Sequence, residues 1–395
     1  MKSLTRLLII MIVTAGISAI QLPISLSDDH HQAETKTVEA YYPPPESAGG
    51  WRCLYNDEEV CRLAGFDPKR LDFVAKYHQG IFGGPWAIVI IRRGYLVREW
   101  YAVPALPTAT YNTHSCTKSA TGIAYGLLLE DSRNHRLPNN VQIDLDSRVY
   151  PFIPEGHPLT DPLKEKITLR HLLTMTSGIP GQNHGITGIA VAPGGGAYEI
   201  ALGKEANRFG DSAAHLFAKP GEAWDYSDAA FAQLSLIFSK VAGKEIAEYM
   251  KERVFQPIGI EDFGWDRQGG AGHIGPHTNA HSGLRLTARD FARLGYLLGR
   301  GGVWKNEQII PKRWIDLATR SSQDLNPGYG YSFWVNTEGT LWPGLPKDAF
   351  YFNGYGSNRC YVVPSLDLVV VRLGYAPPVW DEFVLLPPVV RAILQ

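Results

Sequence analysis

One short run constrains this chain more than any other. Positions 119–129 read Ser-Ala-Thr-Gly-Ile-Ala-Tyr-Gly-Leu-Leu-Leu, with no charged side chain on any side of a helical projection. A surface helix keeps one polar face, so a helix apolar all round has to be buried. The rest of the polypeptide must therefore wrap around this segment. Its length permits that, because 395 residues, 45% hydrophobic and 19% charged, suffice for one large domain or two closely packed ones. The same balance excludes fibrous and disordered classes.

The wrapping elements can be placed. Asp67-Pro68 supplies a cap and a first helical residue, and Leu71, Val74 and Ala75 then share one helix face. Residues 86–91 form an apolar strand, and Arg92-Arg93-Gly94 turns it into a second strand at 95–101. A second hairpin joins 360–363 to 368–373 through Pro364-Ser365, and a last helix covers about 388–394. Between these ends the pattern is mostly helical, with helices at 169–175, 229–241 and 288–298. The expected fold is α/β (α+β): an antiparallel sheet built from N- and C-terminal segments, flanked by helices. A mostly helical lobe, roughly 130–290, is inserted, within a catalytic domain spanning 61–395. A cleft between lobes is the natural place for a site.

The N-terminus differs. Lys2 and Arg6 precede an apolar run at 7–20, with small residues near Ala19, which reads as an export signal over 1–19. Such a run is short for a spanning helix, which needs about 20 apolar residues. A periplasmic or secreted protein is expected, with an uncleaved membrane anchor as the alternative. Residues 20–60 read as a polar, Pro-rich linker and extension. In an exported protein, Cys53 and Cys61 suggest a local disulfide, while Cys116 and Cys360 are open between buried thiols and a second bridge. Net charge is -1 with no basic face, so no nucleic-acid partner is expected. His273, His277 and His281 recur every four residues, but Gly272, Gly275 and Pro276 break any helix there, so a metal face is not expected. Nor is a cofactor.

Chemistry enters at His114-Ser115-Cys116-Thr117-Lys118, which leads into the buried helix. Ser115 then sits at the helix mouth, with Lys118 one turn along on the same face. Unpaired N–H groups and the positive dipole end favour an oxyanion there. Burial disfavours the ammonium, which would let Lys118 act as a base. S-x-x-K alone is a weak signal, although this is its one occurrence in the chain. Two further elements follow. Pro220-Gly221-Glu222 leads to Tyr226-Ser227-Asp228 before the helix at 229, and Phe352-Asn353-Gly354-Tyr355-Gly356 enters the C-terminal hairpin.

In that order these elements resemble the serine β-lactamase, D-Ala-D-Ala peptidase and esterase family, nearest its class C and esterase branches. The resemblance also covers residues 167–178, 286–290 and 363–370, and so runs from about Asp67 to the C-terminus. It implies that Ser115 is acylated, and that Lys118 and Tyr226 share the proton work. Tyr226 would deliver a proton to the leaving group and later activate water; which of the two is the base stays open. The oxyanion hole would be the N–H groups of Ser115 and Tyr355, with Asp228, Asn353 and Gly354 binding substrate.

Two positions depart from the family pattern. Asp228 stands where Asn is common, and a carboxylate there would pair with Lys118, hold it charged and push base duty toward Tyr226. Phe352 stands where a cation or His would receive a substrate carboxylate; Arg359 is near in sequence. These departures favour esters or simple amides as the small-molecule substrate. A β-lactam or D-Ala-D-Ala peptide is the alternative activity, and a non-catalytic binding protein is the rival class.

Overall fold

The computed structural model describes residues 40–81, 85–102, 106–186, 188–375 and 382–394. The expected export signal at 1–19, and the expected linker as far as 39, lie outside them. Six strands form one sheet: β1 (Trp86–Arg92), β2 (Tyr95–Tyr101), β3 (Trp334–Val335), β4 (Phe350–Gly354), β5 (Asn358–Val363) and β6 (Leu368–Gly374). Their order is β3-β4-β5-β6-β1-β2, and every pairing is antiparallel. The two ends of the chain meet at the β1–β6 seam, where Ile88 opposes Arg372 and Ile90 opposes Val370.

β1 is buried at every position because both faces of the sheet are covered. Successive side chains of a strand point to opposite faces. Ala87, Val89 and Ile91 therefore enter the larger core, while Trp86, Ile88 and Ile90 enter a second one. The second core is closed by Leu71 and Val74 of α1 (Pro68–Ile81) and by Leu386 and Val389 of the last helix, Leu386–Arg391. Asp67 Oδ1 accepts the Lys69 N–H at 3.0 Å, which starts α1 where the Asp-Pro pair places it.

The larger core gathers around α2 (Cys116–Arg133), which is buried from Cys116 through Leu128. α3 (Leu169–Leu173), α4 (Asp228–Ala242) and α5 (Ala288–Gly299) pack with it. The inserted lobe is held by these short helices and by several 3-10 turns between them. Among the described residues no helix is long and apolar enough to cross a membrane.

Close packing explains why α2 tolerates glycine. A Cβ on Gly126 would lie 2.2 Å from Trp314 Cδ1. Helix propensity favours Ala over Gly by about 1 kcal/mol, yet overpacking a core costs about 1–3 kcal/mol. Gly126→Ala is therefore expected to destabilise the fold by up to about 2 kcal/mol, read from urea unfolding. A stabilised variant would show that Trp314 yields freely.

Two expectations are corrected. Residues 40–60 are part of the domain rather than a linker. Arg293 of α5 is buried and donates to Pro43 O (3.0 Å) and Pro44 O (2.6 Å), and Glu46 pairs with both Arg293 and Arg289. Trp51 is buried against the same helix and donates to Arg289 O. A buried guanidinium demands acceptors, and this segment supplies them. The second correction concerns Cys53 and Cys61, which are free thiols. Cys53 Sγ faces Trp51 O at 3.4 Å, whereas Cys61 is exposed. Cys116 and Cys360 are buried free thiols directed at the carbonyls of Asn358 and Phe291 respectively.

Candidate active site

Ser115 occupies the N-cap position of α2, immediately after His114, whose φ of 50° lies in the left-handed region. That conformation is uncommon for a residue with a Cβ and needs surrounding support. Support comes from Asn112 Oδ1, which accepts the His114 N–H, and from the short strand Leu284–Leu286. Leu284 O accepts from the Thr113 amide and hydroxyl, and the Leu284 N–H donates to Thr117 Oγ1. The chain is thus clamped on both sides of the serine.

Lys118 is buried and directs three contacts from Nζ: Asp228 Oδ1 at 2.5 Å, His281 O at 3.0 Å and Ser115 Oγ at 3.2 Å. The contacts to His281 O and Ser115 Oγ are hydrogen bonds and that to Asp228 is an ion pair; when the amine is unprotonated, its lone pair can face the Ser115 hydroxyl across the same 3.2 Å. Burial lowers the Lys118 pKa, and the adjacent Asp228 carboxylate offsets part of that effect. For Asp228 burial acts upward, but Lys118 and His281 bring it below the ordinary carboxylate range. His281 is buried with Nδ1 3.8 Å from Asp228 Oδ1, and burial pushes its imidazole down to about 4. It is neutral at pH 7.

Tyr226 lies in the loop before α4, where Ser227 caps the helix by accepting from Ala230 N. Its ring stacks on Trp334 at 6.2 Å and lies 4.8 Å from Lys118 Nζ. It lines the same cleft as Ser115. Burial foremost, then the Asp228 charge, raises the phenol pKa well above its usual value. Tyr226 is thus a protonated phenol at neutral pH.

The third element arrives on β4. A Cβ on Gly354 would lie 2.1 Å from Thr113 O and 3.0 Å from Cys116 Sγ. Only glycine lets the strand end approach the segment that carries Ser115. Tyr355 follows at once, in a 3-10 turn (Tyr355–Ser357), and lines the same cleft as the serine.

Ser115, Tyr226, Asn353, Gly354 and Tyr355 line one cleft of about 490 Å³, together with Gln182, Asn183, Trp224, Trp334 and Arg359. Lys118 and Asp228 lie outside that lining, in contact with Ser115 and with each other respectively. All the expected site residues therefore gather at one place. Phe352 does not face the cleft. It is fully buried between Phe291 and Phe333 at 5.1 and 5.2 Å, so position 352 offers nothing to a substrate. Of the aromatic run 329–334, Trp334 reaches the cleft, while Tyr329, Tyr331 and Phe333 are core. The three spaced histidines diverge toward Glu199, Glu245 and Asp228.

Sequence reasoning missed Asp225. Its buried carboxylate accepts from Gly181 N (2.8 Å) and Asn183 N (3.1 Å) and contacts His184 Nδ1 (2.8 Å). It fixes the loop that presents Gln182 and Asn183 to the cleft, while Gln182 N donates to Tyr226 O. Three of these contacts end on backbone or on an unremarkable His, so no motif marks them. Asp225→Asn keeps one acceptor oxygen and turns an amide N–H₂ toward donors. Losing a charge-assisted hydrogen bond costs roughly 1.5–3 kcal/mol. The expected result is faster hydrogen exchange over 181–186 and about tenfold lower kcat/KM, since ~1.4 kcal/mol is a factor of ten. Unchanged exchange would remove the carboxylate from this role.

Comparison with known proteins agrees with this geometry. The family model named Beta-lactamase matches residues 76–378. An uncharacterized protein of Alkalihalophilus pseudofirmus is 24% identical over 237 residues, 54% of this chain and 62% of its own length. Protein flp of Staphylococcus aureus is 28% identical over 176 residues, 43% of this chain and 31% of its own. The chain thus spans less than two thirds of either relative. A penicillin-binding protein homolog from Caulobacter crescentus superposes with a TM-score of 0.59 at 18% identity, covering 83% of this chain and 96% of that one. EstCE1, a hydrolase with promiscuous acyltransferase activity, superposes with a TM-score of 0.59 at 17% identity, covering 83% and 98%. These two likenesses are of fold. Since the family model covers most of its length, the chain belongs to the Beta-lactamase family.

Proposed function

We propose that this protein hydrolyses carboxylic esters or simple amides through an acyl-enzyme on Ser115. The observation that carries the reading is the approach of Lys118 Nζ to Ser115 Oγ at 3.2 Å, with Tyr226 lining the same cleft as the serine. A nucleophile within hydrogen-bond reach of a base, itself oriented by a third group, is the arrangement that covalent catalysis requires. Lys118, with its lowered pKa, takes the serine proton, and Asp228 orients the amine. Tyr226, kept protonated, serves as the donor to the leaving group. The amides of Ser115 and Tyr355 receive the oxyanion.

The burial of Phe352 supports a substrate without a free carboxylate, because no cation comes from that position. EstCE1, of similar fold, is described as a hydrolase with acyltransferase activity, which supports transfer to an alcohol as a side reaction. The apolar N-terminal run supports action outside the cytoplasm. The test is to treat the protein with a fluorophosphonate and map the adduct by mass spectrometry. An adduct on Ser115 is expected. Folded protein that takes no label there would favour a binding module. Rates on a short-chain aryl ester, a linear amide and a cephalosporin then rank the substrates, and a cephalosporin rate above the ester rate would reverse the preference.

A further inference from the structure

The turn that follows β4 is gripped from within by buried donors. Arg359, on β5, is nearly buried, and its Nη1 donates to Gly354 O at 2.7 Å and to Asn358 O at 2.9 Å. Arg372 stands opposite it on β6 and is fully buried. Its Nη1 donates to Gly356 O at 2.8 Å, to Ser357 O at 3.3 Å and to Gly374 O, and its Nη2 donates to Tyr375 O at 3.1 Å. Asn358 Nδ2 donates to Tyr355 O at 2.6 Å, while its Oδ1 accepts from Gly374 N at 2.9 Å. Each carbonyl from Gly354 to Ser357 is therefore held by a guanidinium or an amide.

In a trans peptide the C=O and the following N–H point in opposite directions. Fixing Gly354 O on Arg359 therefore fixes the direction of the Tyr355 N–H, away from the guanidinium. Resting on the Ser115 acyl-enzyme reading, we propose that Arg359 is the positioning residue of the oxyanion hole. It acts through the Gly354–Tyr355 peptide rather than by binding a substrate carboxylate. Arg372 and Asn358 hold the remaining peptides of the turn, so that this plane cannot rotate. One nitrogen of the cation beside the cleft, Arg359 Nη1, is committed to main-chain carbonyls.

The test uses a neutral aryl ester, which has no carboxylate for an arginine to bind, and phenylboronic acid, which places an oxygen where the oxyanion forms. Arg359→Met is expected to lower kcat about 10- to 100-fold with KM within about twofold, somewhat less than outright loss of an oxyanion donor. Boronate inhibition should weaken by the same factor. Arg359→Lys keeps a cation and one donor and is expected to recover part of kcat. A raised KM at wild-type kcat, or unaltered boronate affinity, would overturn the proposal. If the Met variant does not fold, the Lys variant decides alone: kcat several-fold below wild type at unchanged KM supports the role, and wild-type kcat refutes it. Failure of the underlying reading is separate, since it shows in the wild-type protein as boronate or fluorophosphonate that never engages Ser115.

Discussion

Lys118→Met is expected to lower kcat/KM for a neutral aryl ester by about 10²–10⁴-fold, the range that a positioned base contributes. The reason lies in where the amine points. Its Nζ lies 3.2 Å from Ser115 Oγ and is held there by Asp228 Oδ1 and His281 O. His281 is neutral near pH 7 but reaches toward Asp228, not Ser115. Removing the amine also leaves Asp228 without its partner. Breaking a buried pair costs roughly 3–5 kcal/mol, and the partial exposure of Asp228 puts this case near the lower end. The double variant Lys118→Met with Asp228→Asn removes that penalty. It should recover stability and stay inactive, which separates lost catalysis from lost fold.

Asp228→Asn alone tests the electrostatics of the pair. The carboxylate raises the Lys118 pKa against the larger downward effect of burial. Without it the Lys118 pKa falls further, so the free amine is available at lower pH. The ascending limb of kcat/KM against pH should therefore move to lower pH. A limb displaced to higher pH would mean that Lys118 does not titrate in that limb.

What could be read from the sequence, and what could not, follows from the range of the interactions. The apolar circumference of 119–129 is a local property, and it located α2 and with it Ser115 and Lys118. The sevenfold burial of β1 was equally local, because a strand covered on both faces carries apolar side chains throughout. Residues 40–60 failed for the opposite reason. Their partners, Arg289 and Arg293, lie far along the chain, and a Pro-rich stretch looks the same in a linker and in a belt around a helix. Phe352 shows a subtler limit. Its place in the motif suggested a cleft position, but strand alternation sends 350 and 352 into the larger core and leaves Asn353 at the cleft. Asp225 was invisible because its work is done on backbone N–H groups, which every sequence supplies.

Tyr226→Phe is the second variant with a large expected effect, and it decides which group is the base. The ring is held independently of its hydroxyl, by Trp334 at 6.2 Å and by the Lys118 ammonium 4.8 Å from its centroid. Phenylalanine should therefore occupy the same space, with little change in stability or KM. What disappears is one O–H in the cleft that Ser115 lines. A donor that protonates the leaving group acts in the transition state, so kcat should fall by about 10²–10³-fold with KM within about twofold. The phenol pKa lies well above its usual value, since burial and the Asp228 charge both oppose the phenolate. It does not lose its proton in the pH range where Lys118 does. The residual activity of Tyr226→Phe should accordingly keep the ascending pH limb of the wild type. If that limb vanishes with the hydroxyl, the base is the tyrosine, and Lys118 serves only to hold the serine and the phenol in place.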